Sequence, residues 1–290
     1  MKAPTVNDLA HALGQLCRRN RDGSHATQAN RLRGLQAMAG DLYALGYKMP
    51  KATSIKPKHV TALVDHWQGQ GLSQATLKNR LGWIRWWAEK VNKASVVPRD
   101  NATLGIASRA TNAESNRSWD LPSTLVLADP YMQTSLELIA AFGLRIEEAL
   151  KLRPQQADQG HCLKLNGSWT KGGRPREVPI RTDAQRQLLH RATALVGQGA
   201  MIPAGKSYIQ HRKAFEHQTL KQGLSNLHGL RHAYAQARYY ELTGWHSPRH
   251  GGPNRRAMTR PQRRLDYQAR LIISQELGHN RTSITKIYLG

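Results

Sequence analysis

Four short stretches in the second half of this chain carry the side chains with most chemistry to offer. The first is GLRIEEALKLR, where Arg145 and Glu148 stand three residues apart on a helix expected to begin after Gly143. That spacing puts both on one face. An arginine near a helix N-terminus adds a guanidinium fork to free backbone N–H groups and suits a phosphate, although an ordinary surface ion pair uses the same spacing. The second, TKGGRPREVPI, sets Lys171 at the tip of an expected β-hairpin, able to reach into a groove; taken alone, a loop-tip lysine is a solubilising charge. In the third, LHGLRHAYA, His228 and Arg231 share a helix face beside an apolar stripe of Leu227, Leu230 and Tyr234. His232 is assigned there to a different face, as a structural residue. The fourth is LGHNRTSITKIY, in which Gly278 ends a helix and turns His279 out of it. Thr282 is read as the cap of a short helix carrying Tyr288, nine residues after His279.

Brought together, these side chains can cut a phosphodiester without a metal. Two arginines neutralise the non-bridging oxygens, and histidines hydrogen-bond the same phosphate or move a proton. A lysine can protonate a departing 5′ oxygen. A tyrosine nucleophile keeps the bond energy as a phosphotyrosine rather than losing it to water. No Asp/Glu cluster and no His/Cys spacing offers a metal site, so neither a metal nor another cofactor is expected.

The charge balance names the partner. Lys and Arg number 43 against 19 Asp and Glu, a net charge of +24, and the pI is near 10.7. Such a chain repels itself away from a polyanion, and nucleic acid is the usual one, the alternative being a generally basic, soluble surface. The excess is shared, with net +10 over residues 1–105 and +14 over 106–290, which suits a protein that grips a duplex from two sides. Cys17 and Cys162 are too few for a disulfide framework or a metal cluster. No apolar run approaches the ~20 residues that span a bilayer, and MKAPTVNDLAHAL lacks the apolar core of a signal peptide. A cytoplasmic, nucleoid-associated protein with no membrane partner is expected.

The elements that must position the chemistry fall into two parts. Residues 1–105 read as all-helical. Leu35, Met38, Leu42 and Leu45 recur at helical spacing before Gly46, a second helix starts near Pro57, and Ser73 caps a third. In that third helix Leu77, Leu81, Ile84, Ala88 and Val91 form the buried stripe. Lys78, Arg85 and Asn92 follow another line, which can touch phosphates or simply stay solvated. At least two of Trp83, Trp86 and Trp87 are expected in the core rather than stacked on bases. A polar stretch at 106–118 reads as a linker. Residues 119–290 mix helices with two strands around Gly172-Gly173, so the expected fold is mainly α with a small antiparallel β-sheet.

These motifs resemble those of the tyrosine recombinases of the phage-integrase family. That family's pattern is an arginine with an acidic residue three on, a hairpin lysine, His-x-x-Arg, Leu-Gly-His, and a tyrosine nine residues later. The matching residues, in family order, are Arg145 with Glu148, Lys171, His228 with Arg231, His279 after Leu277-Gly278, and Tyr288. The match is strong over 118–290 and looser over 1–105. It implies a SAM-like helical core-binding domain followed by a mixed α/β catalytic domain, closing as a clamp around DNA. It further implies that Tyr288 attacks the scissile phosphate, freeing a 5′ hydroxyl and leaving a 3′-phosphotyrosyl link. Arg145 and Arg231 would hold the phosphate with His228 and His279 beside it, Lys171 would be the general acid, and Glu148 would orient Arg145. A tetramer on synapsed recombination sites, helped by DNA-bending accessory proteins, would integrate or excise a mobile element or prophage.

Two departures stand out. Arg231 and His279 are 48 positions apart, about twice the family's usual spacing, and the surplus centres on residues 247–264, with six arginines and no acid. Arg255, Arg256, Arg263 and Arg264 of this insertion, with Arg174 of the hairpin, are the expected further DNA contacts beside Lys78 and Arg85. Three readings of the insertion stand: a DNA grip, a reach to a neighbouring protomer, or a flexible basic loop. Only Leu289 and Gly290 follow Tyr288, where relatives often carry a helix that docks on the next protomer. Competing functions are a strand-resealing type IB-like topoisomerase, a chromosome-dimer resolving recombinase, and a non-catalytic DNA-binding regulator on the same fold.

Overall fold

The computed structural model describes residues 6–49, 51–107, 115–170, 172–279 and 281–290. The chain divides into two compact units, Met1–Ala110 and Thr111–Gly290. Each has its own apolar core.

Among its described residues the first unit is helical: α1 (Val6–Arg19), α2 (His25–Ala44), α3 (Pro57–Gly69) and α4 (Gln74–Lys90). Local chemistry sets the starts of α2 and α4. The hydroxyls of Ser24 and Ser73 accept from the backbone N–H of Thr27 and Thr76, each at 3.2 Å, satisfying donors that have no partner inside the helix. Leu35, Met38 and Leu42 of α2, Leu63 and Trp67 of α3, and Leu77, Leu81, Ile84 and Trp87 of α4 meet in the core.

Several expectations need correcting here. Leu45 lies past the end of α2 and is 36% exposed. Of the tryptophan trio only Trp87 is fully buried; Trp83 and Trp86 are half-buried against the core. The face of Trp86 already carries Arg31, 3.8 Å from the ring centroid, so this ring is partnered by a cation of its own unit. The basic line on α4 is also broken. Asn92 lies beyond the helix with φ 54°. Arg85 donates to the carbonyl of Pro98 at 2.8 and 3.2 Å and to Asn101 Oδ1 at 2.7 Å. Arg85 thus braces the turn after α4; it and Lys78 are both half-buried on the helix.

The second unit starts its helical scaffold with α5 (Pro130–Phe142), capped by Asp129, whose Oδ1 accepts from Tyr131 and Met132 N–H at 2.9 and 3.2 Å. Gly143 then stops the helix with φ 59°, and a Cβ there would lie 2.5 Å from the ring of Tyr234. Only glycine combines that left-handed backbone with so close an approach. There follow α6 (Ile146–Lys151), α7 (Pro154–Ala157), the hairpin β1 (Cys162–Leu165) and β2 (Arg176–Pro179), α8 (Asp183–Val196), α9 (Tyr208–Lys221), α10 (His228–Thr243), α11 (Arg260–Glu276) and α12 (Lys286–Leu289). The strands pair antiparallel, Leu163 opposite Val178 and Leu165 opposite Arg176. Leu163, Leu165 and Val178 face a core shared with Ile139 and Phe142 of α5, Phe215 of α9, Tyr239 of α10 and Ile273 of α11.

Residues 108–114 of the expected linker lie outside the described residues. Its end belongs to the second unit, since Asn116 and Ser118 hydrogen-bond Gln236 of α10. The insertion is folded rather than a loose loop. It opens with a 3-10 turn, Pro248–His250, buries Met258, and its last arginines form the first turns of α11. Thr282 is not a cap: it begins a 3-10 turn, Thr282–Thr285, that runs into α12. No helix among the described residues is long and apolar enough to cross a membrane.

Candidate active site

The site is organised around one buried carboxylate. Arg145 is the residue before α6, and Glu148 sits in the first turn of that helix. Glu148 Oε2 accepts from Arg145 N–H at 2.7 Å and Oε1 accepts from Arg145 Nη1 at 2.6 Å. The same carboxylate receives Arg176 of β2 as a bidentate pair, at 2.7 and 2.6 Å. Arg231 of α10, wholly buried, places Nη1 4.0 Å from Glu148 Oε2 and donates to the carbonyls of Gly143 and Leu277. Arg145 Nη2 reaches that Leu277 carbonyl at 3.4 Å. The glycine stop after α5 and the end of α11 therefore supply the acceptors that aim both guanidinium groups. Burial pushes the Glu148 carboxyl upward, but Arg176, Arg145 and Arg231 together hold it down at about 2.

Three side chains converge on the hydroxyl of Tyr288. His279 Nε2 lies 3.3 Å away, His228 Nε2 3.4 Å, and Arg231 Nε 3.4 Å. His279 leaves α11 through Gly278, whose φ of 66° lets it turn, and a Cβ at Gly278 would sit 2.9 Å from Arg176 Cδ. The ring of Tyr288 packs on His232 at 4.6 Å between centroids, and its carbonyl accepts from Gln236 Nε2 at 3.0 Å. Tyr288 is 3% exposed, so the phenol is delivered inward. Lys171 lies outside the described residues.

Desolvation, aided by neighbouring cations, lowers all three imidazoles. His228 falls to about 4 through burial, then Arg231 and Arg145. His279 falls to about 4 through burial, then Arg231, Arg145 and Arg176. His232 falls to about 4 through burial, then His228 and Arg117. All three rings are neutral at pH 7, able to accept a proton. An unfolded histidine titrates near 6.5, so between about pH 6.5 and 4 the unfolded chain binds more protons than the folded one. The second unit should lose stability steadily as pH falls through that window. Denaturant titrations at several pH values would show it; a midpoint unchanged from pH 7 to 5 would mean the rings titrate normally.

Three residues that the motifs leave out belong here. His232, expected on another face, follows His228 by four residues, one helical turn, and its ring lies 5.4 Å from that of His228. Arg176 alternates inward with Val178 on β2, and a charged residue on the buried face of a strand needs a counter-ion, here Glu148. Gln236 carries no signal readable in the sequence. Arg174 is exposed and lines a cleft of about 500 Å³ with Lys164, Arg176 and His279. A second cleft, about 370 Å³, opens beside Arg145, Arg212 and His228. A more apolar cleft of about 570 Å³, under Trp119, Leu188 and Tyr234, contains none of the cations around Glu148; its own arginines, Arg181 and Arg191, are paired with Glu241 and Glu137. Arg255, Arg256, Arg263 and Arg264 are exposed, with Arg263 donating to the carbonyls of Arg255 and Arg256.

The family model described as phage integrase, N-terminal, matches residues 6–95, and the model described as integrase matches 108–237. No curated protein is similar enough in sequence to be a relative. Among solved structures, the Tn1549 transposon integrase in complex with circular intermediate DNA superposes with a TM-score of 0.57 at 13% identity, over 99% of this chain and 96% of that one. The lambda integrase tetramer bound to a Holliday junction gives 0.60 at 15% identity, over 100% and 78%. The XerH site-specific recombinase bound to a palindromic difH substrate gives 0.57 at 15%, over 97% and 81%. At such identities the likeness is one of fold; the family rests on the two matched models, which together span most of the chain and agree with the fold and the motifs. The chain belongs to the phage-integrase family of tyrosine recombinases.

Proposed function

We propose that this protein cleaves and rejoins DNA at a specific site through a 3′-phosphotyrosyl bond at Tyr288, and thereby integrates or excises a mobile genetic element. The observation that carries this is the convergence of His279, His228 and Arg231 on the Tyr288 hydroxyl, all at 3.3–3.4 Å. In the first step Tyr288 Oη bonds to the scissile phosphorus and the bond to the 5′ oxygen breaks. The phenol proton passes to a neutral imidazole of His228 or His279, within hydrogen-bond reach. Lys171 gives a proton to the leaving 5′ oxygen. Arg145 and Arg231 meet the charge gathering on the non-bridging oxygens, held in place by Glu148 and by backbone carbonyls before substrate arrives. Attack by the 5′ hydroxyl of a partner strand reverses the sequence and frees the tyrosine.

The helical part, residues 1–105, and the catalytic part, 119–290, would each supply basic surface to the duplex. Because the lambda integrase structure is a tetramer on a Holliday junction and the Tn1549 integrase holds a circular intermediate, we assign this chain the same kind of partners: synapsed double-stranded DNA and further copies of itself. DNA-bending accessory proteins are consistent with this role.

The test is to incubate the protein with fragments carrying its own gene and flanks, add EDTA, denature, and map any protein–DNA bond by peptide sequencing. A tyrosine-linked 3′ phosphate on Tyr288 is expected. No adduct, even with a nicked suicide substrate, would overturn the reading. A separate expectation concerns the insertion. Neutralising Arg255, Arg256, Arg263 and Arg264 should flatten the log–log salt dependence of DNA binding by about 0.9 for each phosphate they neutralise in the unaltered protein. An unchanged slope would show that these exposed arginines do not touch the duplex.

A further inference from the structure

The helix that bears Tyr288 is held by side chains with no part in the cleavage chemistry. α12 has four residues, far too short to be stable or oriented alone. Gln236, 4% exposed, donates from Nε2 to the Tyr288 carbonyl at 3.0 Å and to Asn116 Oδ1 at 2.8 Å. Its Oε1 accepts from Ser118 Oγ at 2.9 Å and faces His250 Nδ1 at 3.1 Å. His250 ends the 3-10 turn at the start of the arginine-rich insertion, and that turn meets α12 again. Arg249 Nη2 donates to the Lys286 carbonyl at 3.4 Å, and a Cβ on Gly290 would sit 3.1 Å from Pro248 Cβ. The His250 ring is itself fixed, stacked on His246 at 4.7 Å and 17°, with His246 stacked on Tyr240 at 4.8 Å.

We infer that Gln236 and the Ser247–Gly252 turn form a latch that sets the position of Tyr288 against the side chains converging on its hydroxyl. The inference rests on Tyr288 being the nucleophile, as proposed above. The lengthened Arg231–His279 segment thus has a role besides charge: its first turn braces the nucleophile helix. A buried amide with all its partners present gives one orientation, whereas removing it takes away the Nε2 donor to the Tyr288 carbonyl and leaves Asn116 bonded to Ser118 alone. Gln236 and His250 are positioning residues, acting through α12 rather than on the phosphate.

Single-turnover cleavage of a nicked suicide substrate, carrying the site recovered by adduct trapping, tests this with the full chain. Gln236→Leu should slow adduct formation on the order of 10–10²-fold, as a small misplacement of a reacting group does, with DNA affinity unchanged. His250 is exposed, so changes there spare the core. His250→Phe keeps a ring to stack but loses the Nδ1 donor, and should slow cleavage about 10-fold, one hydrogen bond's worth. His250→Asn restores a donor near that position and should return most of the rate. A merely structural role would rank those two variants the other way or leave them equal, and either result would overturn the latch. Cleavage by Gln236→Leu at the unaltered rate would overturn the inference while upholding Tyr288 as nucleophile; an adduct on another tyrosine in the unaltered chain would overturn both.

Discussion

Tyr288→Phe is expected to bind DNA as tightly as the unaltered chain and to form no covalent adduct. The substitution removes one oxygen. The remaining ring keeps its contact with His232, 4.6 Å between centroids, and its buried place in the core. The hydrogen bonds removed are long, 3.3–3.4 Å, so the fold changes little. The rate changes greatly, because removal of a nucleophile from a cooperating set costs on the order of 10⁴-fold or more. Adduct trapping on a suicide substrate, alongside a filter-binding isotherm, separates the two effects. Residual adduct would move the nucleophile elsewhere, and Tyr240 and Tyr267, 48% and 52% exposed, are the next to map.

Glu148→Gln should cost the second unit on the order of 3–5 kcal/mol, the usual penalty for removing one partner of a buried ion pair. Glu148 is wholly buried and accepts four hydrogen bonds from Arg145 and Arg176, and Arg231 lies 4.0 Å away. A neutral amide would leave these guanidinium groups without their counter-charge and turn an N–H donor toward donors. The pH dependence agrees in sign. Folding lowers the Glu148 carboxyl to about 2 from 4.5, so its contribution is present above about pH 4.5 and lost as pH falls toward 2. A shift of that size corresponds to roughly 3 kcal/mol, consistent with the range for the substitution. Chemical denaturation of the two proteins at pH 7 checks this; a loss below about 1 kcal/mol would mean that water shields the arginines. Because Glu148 aims Arg145, cleavage should fall in the variant even where it remains folded.

Two kinds of feature in this molecule are legible at different depths. Local features are open to inspection: Ser73 capping α4, Gly143 stopping α5 ahead of Arg145, the hairpin around Gly172-Gly173, and Gly278 releasing His279 from α11. Each depends on a few adjacent residues and on backbone conformations that only certain side chains allow. The misreadings are local too. Thr282 has the chemistry of a cap, yet the chain makes a 3-10 turn there, and His232 lies on the face of His228, one helical turn away, rather than on another. The bracing role of Arg85 is hidden for a different reason, since its partners, Pro98 and Asn101, come after the helix has ended and no periodicity points to them.

By itself the sequence determined the family, the order of its motifs, the helical character with one small hairpin, and which residues are the candidates for nucleophile, acid–base and cationic chemistry. Only the tertiary structure decided that Arg176 joins Arg145 on one carboxylate, that Arg231 is aimed by carbonyls 88 and 46 residues away, and that Gln236 reaches across 52 residues to the backbone of Tyr288. The reason is physical. Caps and turns are set by neighbours along the chain, whereas a buried charge or amide must find whichever partner the packed core brings to it, and that partner's position is known only once the core has formed.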